Sequence, residues 1–107
     1  MEPHVKVYFT YFGLTVGCYV GCEVCERPYS DIHHIECRGM GGKKTTKRGI
    51  DIDHISNLMA VCRECHVEYG DKEQYFVFLT RIHNLRLQIF HKDGRSPGEM
   101  VAYGNER

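Results

Sequence analysis

Two cysteine pairs punctuate the chain, Cys22 and Cys25 in "CEVC" and Cys62 and Cys65 in "CREC". Each C-x-x-C wraps a tight turn whose two sulfurs converge on one ion, and four thiolates in two such pairs form a tetrahedral set for structural Zn²⁺. Between the pairs lies "SDIHHIECRGMGGKKTTKRG", residues 30–49, in which His33 and His34 adjoin a glycine-rich basic run; Asn57 and His66 follow. A histidine near neutral pH can accept a proton or ligate a divalent ion. Phosphodiester hydrolysis needs both an activated water and charge stabilisation at the phosphate and the departing oxygen. One histidine can serve the first need and a metal held by the others the second.

Composition bounds the alternatives. With 107 residues the chain reads as one domain, small enough that apolar burial alone leaves it marginal. Six cysteines in such a length would suit a secreted disulfide framework. The start, "MEPHVKVYFTYFGLTVGCYV", is a poor signal peptide, with Glu2, Pro3 and Lys6 in its leading stretch and no A-x-A-like site. No apolar run is long enough for a membrane span. The expectation is therefore a soluble, cytoplasmic protein in which cysteines serve as metal ligands. Of the two cysteines left over, Cys18 and Cys37, Cys18 is the one that competes as a ligand. Zinc would be the staple that the small core requires.

Net charge is zero, with 14 Lys plus Arg against 14 Asp plus Glu, so no global field attracts a polyanion. Locally, residues 37–50 hold Arg38, Lys43, Lys44, Lys47 and Arg48 and no acid. By itself such a run is usually a solvated loop; next to a hydrolytic metal it would instead be a phosphate contact worth about two to four neutralised charges, salt-dependent and without a base-reading code.

The elements that must position these groups follow from pattern. Residues 4–12, "HVKVYFTYF", alternate Val5, Val7, Phe9 and Tyr11 with other types and predict an N-terminal strand or hairpin. Residues 13–30 are glycine-punctuated and suit a metal knuckle. Residues 31–36 predict a short strand, 39–49 an exposed irregular loop, 57–61 a strand or turn, and 62–70 a helix. Tyr75, Phe78, Leu79, Ile82, Leu85 and Ile89 recur at helical spacing, predicting a helix over 72–91 with Asp71 as N-cap and Gly94 as stop. Residues 93–107 read as a loose tail. In a strand, His33 and His34 point to opposite faces, so a bulge or turn would be needed to aim both at one site.

In order, "CEVC", "DIHHIECRGMGG" and "NLMAVCRECH" resemble the HNH endonuclease family, the ββα-metal nucleases, and in particular compact phage-type members with zinc knuckles. The resemblance covers roughly residues 8–70 and implies a small α+β fold: a ββα-metal core with a four-cysteine zinc site and a C-terminal helix. It implies that His34 is the general base and that Asn57 holds the His34 loop by bonding backbone across the hairpin. The catalytic divalent ion, Mg²⁺ or Mn²⁺, would be held by His66 and by His33 or Asp31. Many members carry Asp where this chain has His33, so the choice between those two stays open. Some members also place a histidine where this chain has Gly70, in which case the ion keeps more waters or recruits Asp53 or His54.

The implied partner is DNA, cut by nicking or double-strand cleavage. A homodimer through the 72–91 helix, or a partner in phage packaging or recombination, would extend site recognition, with the host cytoplasm as location. The competing reading is a non-catalytic zinc module that binds nucleic acid or protein.

Overall fold

The computed structural model describes residues 1–37 and 42–96. It is a small α+β arrangement in which a two-stranded antiparallel sheet, β1 (Asp31–His34) and β2 (Leu58–Val61), is flanked by three α-helices: α1 (Pro3–Phe12), α2 (Arg63–Tyr69) and α3 (Phe76–Asp93). No helix among the described residues is long and apolar enough to cross a membrane.

The N-terminal strand expected over residues 4–12 is instead a helix, α1. Pro3 sits in its first turn, where a missing N–H costs nothing. Tyr8, Phe9 and Phe12 are buried at helical spacing, whereas Val7, one of the alternating residues, stays exposed. Aromatic and β-branched types favour strands only weakly and by context, and here the burial of one helical face prevails. Gly13 ends the helix in the left-handed region at φ 66°, and the Leu14 N–H returns to the Phe9 carbonyl at 2.8 Å.

The β1 and β2 registers pair Asp31 with Val61, Ile32 with Ala60, His33 with Met59 and His34 with Leu58. Because side chains alternate, the hairpin divides the interior in two. Leu58, Ala60 and Ile32 pack with Tyr8, Phe9 and Phe12 of α1. Met59 and Val61 pack with Cys22, Cys62, Cys65 and Leu79. All four β2 residues are buried, since both of its faces are covered.

Helix α3 begins at Phe76, after a 3-10 turn over Glu73–Tyr75, and stops at Gly94 (φ 69°) as its glycine implied. Asp71 does not cap it: its φ of 58° is left-handed, whereas an N-cap is extended. The apolar stripe also shifts. Leu79 and His83 are buried and Leu87 and Phe90 pack against the α1 cluster, while Phe78 and Leu85 are exposed. Of the expected loose tail, Asp93 belongs to α3, Ser96 is buried, and residues 97–107 lie outside the described residues.

A buried polar node ties these pieces together. Glu23, inside the first C-x-x-C turn, accepts from Tyr8 Oη (2.6 Å) and from the Ala60 N–H (3.2 Å), and it faces His83 Nδ1 at 2.7 Å. Its carbonyl accepts from Arg86 Nη2 at 2.6 Å and Nε at 3.0 Å. One residue of the knuckle therefore anchors α1, β2 and α3.

Candidate functional site

Cys22 and Cys25 flank a turn closed by the Glu26 N–H on the Cys22 carbonyl (2.8 Å), with Glu26 at φ 69°. Cys62 is the N-cap of α2 and its sulfur accepts from the Cys65 N–H at 3.4 Å. The four sulfurs lie within 4.8 Å of one another, with Cys25 and Cys62 3.5 Å apart. Tetrahedral Zn–S bonds imply sulfur separations of about 3.8 Å, so this four-cysteine cluster could hold a zinc ion. Burial pushes the Cys62 and Cys65 thiols up, and neighbouring thiols push Cys65 further. Burial also opposes the Cys25 thiolate, but the Arg27 backbone and the adjacent thiols outweigh it and bring that group down. A divalent cation would reverse the penalties at Cys62 and Cys65. Cys18 and Cys37 are exposed and stand outside the cluster.

β1 is regularly paired, with no bulge, so its two histidines enter different surroundings. His33 shares the face of Met59 and lies against His66 of α2, with ring centroids 4.9 Å apart. His33, His66 and Asp71 offer ligand atoms within 4.8 Å of one another. The His33 ring is buried, and its Nε2 has no hydrogen-bond partner. An orphaned buried polar atom is costly, and a cation or water at this position would satisfy it. Burial pushes His33 down to about 4, leaving the neutral imidazole that ligates metal.

Asp71 is the residue that sequence reasoning missed, because its placement depends on the turn after α2. Its Oδ2 lies 4.0 Å from His66 Nε2, whereas Asp31 Oδ2 lies 3.4 Å from His66 Nδ1. Asp31 thus addresses the far nitrogen of His66 and stands outside the three-residue group. At Gly70, a Cβ would meet His66 Cδ2 at 2.4 Å and the His66 carbonyl oxygen at 2.6 Å, so any side chain there would displace the ring.

His34 shares the opposite face with α1. Its Nε2 is 2.7 Å from Asp53 Oδ1, and its ring lies 4.5 Å, centroid to centroid, from that of His4. Asp53, expected as an alternative ligand beside His33, therefore sits with His34. His54 is occupied locally, its Nδ1 accepting the Ser56 N–H at 3.1 Å.

Asn57 is buried and fully engaged. Its Oδ1 accepts from the Glu36 N–H (2.8 Å), while Nδ2 donates to the carbonyls of Ile52 (2.9 Å) and Glu36 (3.1 Å). It joins the chain just after His34 to the chain just before Asp53.

In its described part, residues 42–49, the basic run is largely exposed and irregular, closed by local pairings. Thr45 bridges Asp51, and the Thr46 N–H donates to the Ile50 carbonyl at 2.7 Å. Lys43, Lys44, Lys47 and Arg48 are exposed, and Arg38 lies outside the described residues. Lys43 Nζ is nevertheless 2.8 Å from Glu36, and the same carboxylate accepts the Lys47 N–H at 2.9 Å. A cleft of about 500 Å³ lined by Ile35, Lys43, Lys47, Asp71 and Phe76 brings these lysines and Asp71 to one opening. Comparison of the chain with protein-family models, with curated proteins and with solved structures returns no match.

Proposed function

We propose that the chain is an HNH-type endonuclease that hydrolyses DNA phosphodiester bonds with a divalent metal. The observation that carries this reading is the buried, unpartnered Nε2 of His33 beside His66 and Asp71, one residue away from a second, differently held histidine. His33, His66 and Asp71 are the residues that would hold the ion. Asp31, at His66 Nδ1, favours the tautomer that leaves Nε2 for ligation. When bound, Mg²⁺ or Mn²⁺ supplies charge stabilisation at the phosphate and the departing oxygen. With two imidazoles beside its exposed carboxylate the group binds Mn²⁺ more readily than Mg²⁺, and waters complete the shell of either ion.

His34 is the general base. With Nε2–H donated to Asp53, its Nδ1 takes a proton from water, whose oxygen bonds to phosphorus as the sugar oxygen leaves. Asn57 holds the strand end and the Asp53 loop together and so positions that base without touching substrate. Lys43, Lys44, Lys47, Arg48 and Arg38 are the phosphate contacts. The zinc held by the four cysteines secures β2 and α2, and thereby His66.

The test is cleavage of supercoiled plasmid with Mg²⁺ or Mn²⁺. We expect His34→Ala to lower the rate by about 10²–10⁴-fold. Cleavage that survives this change sinks the assignment of the base. The zero net charge and the pairing of Lys43 with Glu36 favour a second reading, a non-catalytic zinc module that binds nucleic acid or protein. A zinc-loaded chain that binds DNA and never cleaves it, across metals and pH, would establish that reading instead.

A further inference from the structure

His4, His34 and Asp53 come from three separate parts of the chain: the first turn of α1, the end of β1 and the loop preceding Ile55. Their ligand atoms all lie within 4.8 Å of one another. The side chains are held rather than free, with relative exposures of 13% for His4, 13% for His34 and 27% for Asp53, yet each keeps an edge to solvent by which an ion can enter. Among the described residues Asp53 forms no ion pair with a Lys or Arg, and a second carboxylate, Glu2, lies 3.8 Å from His4 Nδ1. With the two imidazole ring centroids 4.5 Å apart and the carboxylate alongside, one shared cation can engage a lone pair from each of the three. Two histidines and one carboxylate, with a fourth position open to water, bind borderline transition metals more tightly than Mg²⁺, and the same preference holds at His33, His66 and Asp71, so that group has to be silenced in any test of this one.

We propose that His4, His34 and Asp53 form a second, transition-metal site for Zn²⁺, Co²⁺ or Ni²⁺, separate from the cysteine cluster and from His33, His66 and Asp71. Its consequence rests on the reading of His34 as general base. An ion on Nε2 leaves the remaining ring proton on Nδ1 and no basic nitrogen to accept a proton from water. Filling this site therefore inhibits cleavage, and α1 is the element that makes the inhibition available, by contributing His4.

The experiment uses the full chain with zinc in its cysteine cluster and His66→Ala to silence the other histidine group. Titration with Ni²⁺ or Co²⁺ by calorimetry is expected to show one further ion bound. His4→Gln or Asp53→Asn in that background weakens it by about tenfold or more, with helical circular dichroism unchanged. Two separate variants guard against one that fails to fold. No further ion in the His66→Ala chain, or equal binding with and without His4 and Asp53, overturns the site. In a separate arm, the Zn²⁺ concentration that halves Mg²⁺-supported plasmid cleavage rises about tenfold or more in His4→Gln. Equal zinc sensitivity overturns the inhibitory role. A chain that binds the extra ion through His4 but never cuts DNA upholds the site and refutes only the nuclease reading.

Discussion

Replacing His83 by leucine tests the node on which both the knuckle and the helices depend. Both His83 and Glu23 side chains are 0% exposed. His83 Nε2 faces the Ile55 carbonyl at 2.6 Å, and a carbonyl only accepts, so that nitrogen carries a proton. Nδ1 faces Glu23 Oε1 at 2.7 Å, so a proton on Nδ1 would pair an imidazolium with the Glu23 carboxylate. Burial alone would lower the His83 pKa, but the Glu23 charge and the two hydrogen bonds outweigh it and raise it. Leucine keeps most of the volume and leaves the Glu23 carboxyl without its imidazole partner, with Tyr8 and the Ala60 N–H still donating. Breaking a buried pair from one side costs about 3–5 kcal/mol, and the surviving donors put this case near 3. For a domain of this size that lowers Tm by about 12–24 °C. Because the folded pKa is raised, the His83 contribution is fully present below the unfolded value of about 6.5 and is lost as pH rises through the folded value. Urea unfolding of zinc-saturated parent and variant at several pH values reads this directly. A gap under about 1 kcal/mol near pH 6, or one that widens as pH rises, refutes the charged pair.

Gly70→Ala forces the His66 ring aside, so divalent-ion affinity at His33, His66 and Asp71 should fall about tenfold or more in calorimetry while the zinc content stays at one per chain; unchanged affinity would show that the ring is not a ligand. Glu36→Gln removes the acid that holds Lys43 and should steepen the log K against log salt slope for DNA binding by up to about one, whereas an unaltered slope argues against phosphate contact by this loop. The Glu36 carboxyl is held below its usual range first by the Lys43 hydrogen bond, so the Lys43 pairing is present at neutral pH and is lost only on strong acidification. With zinc bound, a thiol reagent should modify Cys18 and Cys37 first and the other four only after chelation, with loss of helical signal; six equally reactive thiols would exclude the four-cysteine site.

Much of the central hairpin was legible because its signals are local. The C-x-x-C pairs name their own turns, Cys62 opens α2 where the pattern begins, and residues 31–34 and 58–61 carry short strand signals. The period of two already placed His33 and His34 on opposite faces, and the structure keeps them there without a bulge. Helix α1 was misread because "HVKVYFTYF" satisfies both periods; only the packing of Tyr8, Phe9 and Phe12 against Leu58 and Ala60 decides between them.

What the chain's residue order determined by itself is the donor chemistry: four thiols in pairs, adjacent histidines, an asparagine and a basic loop in a neutral molecule. Which donors meet was decided by tertiary structure. Asp71 replaces Asp31 beside His33 because the left-handed turn after α2 carries it there, and His4 reaches His34 because α1 folds over the hairpin. Both pairings join residues far apart in sequence, and their energy comes from burial of faces that no local window contains.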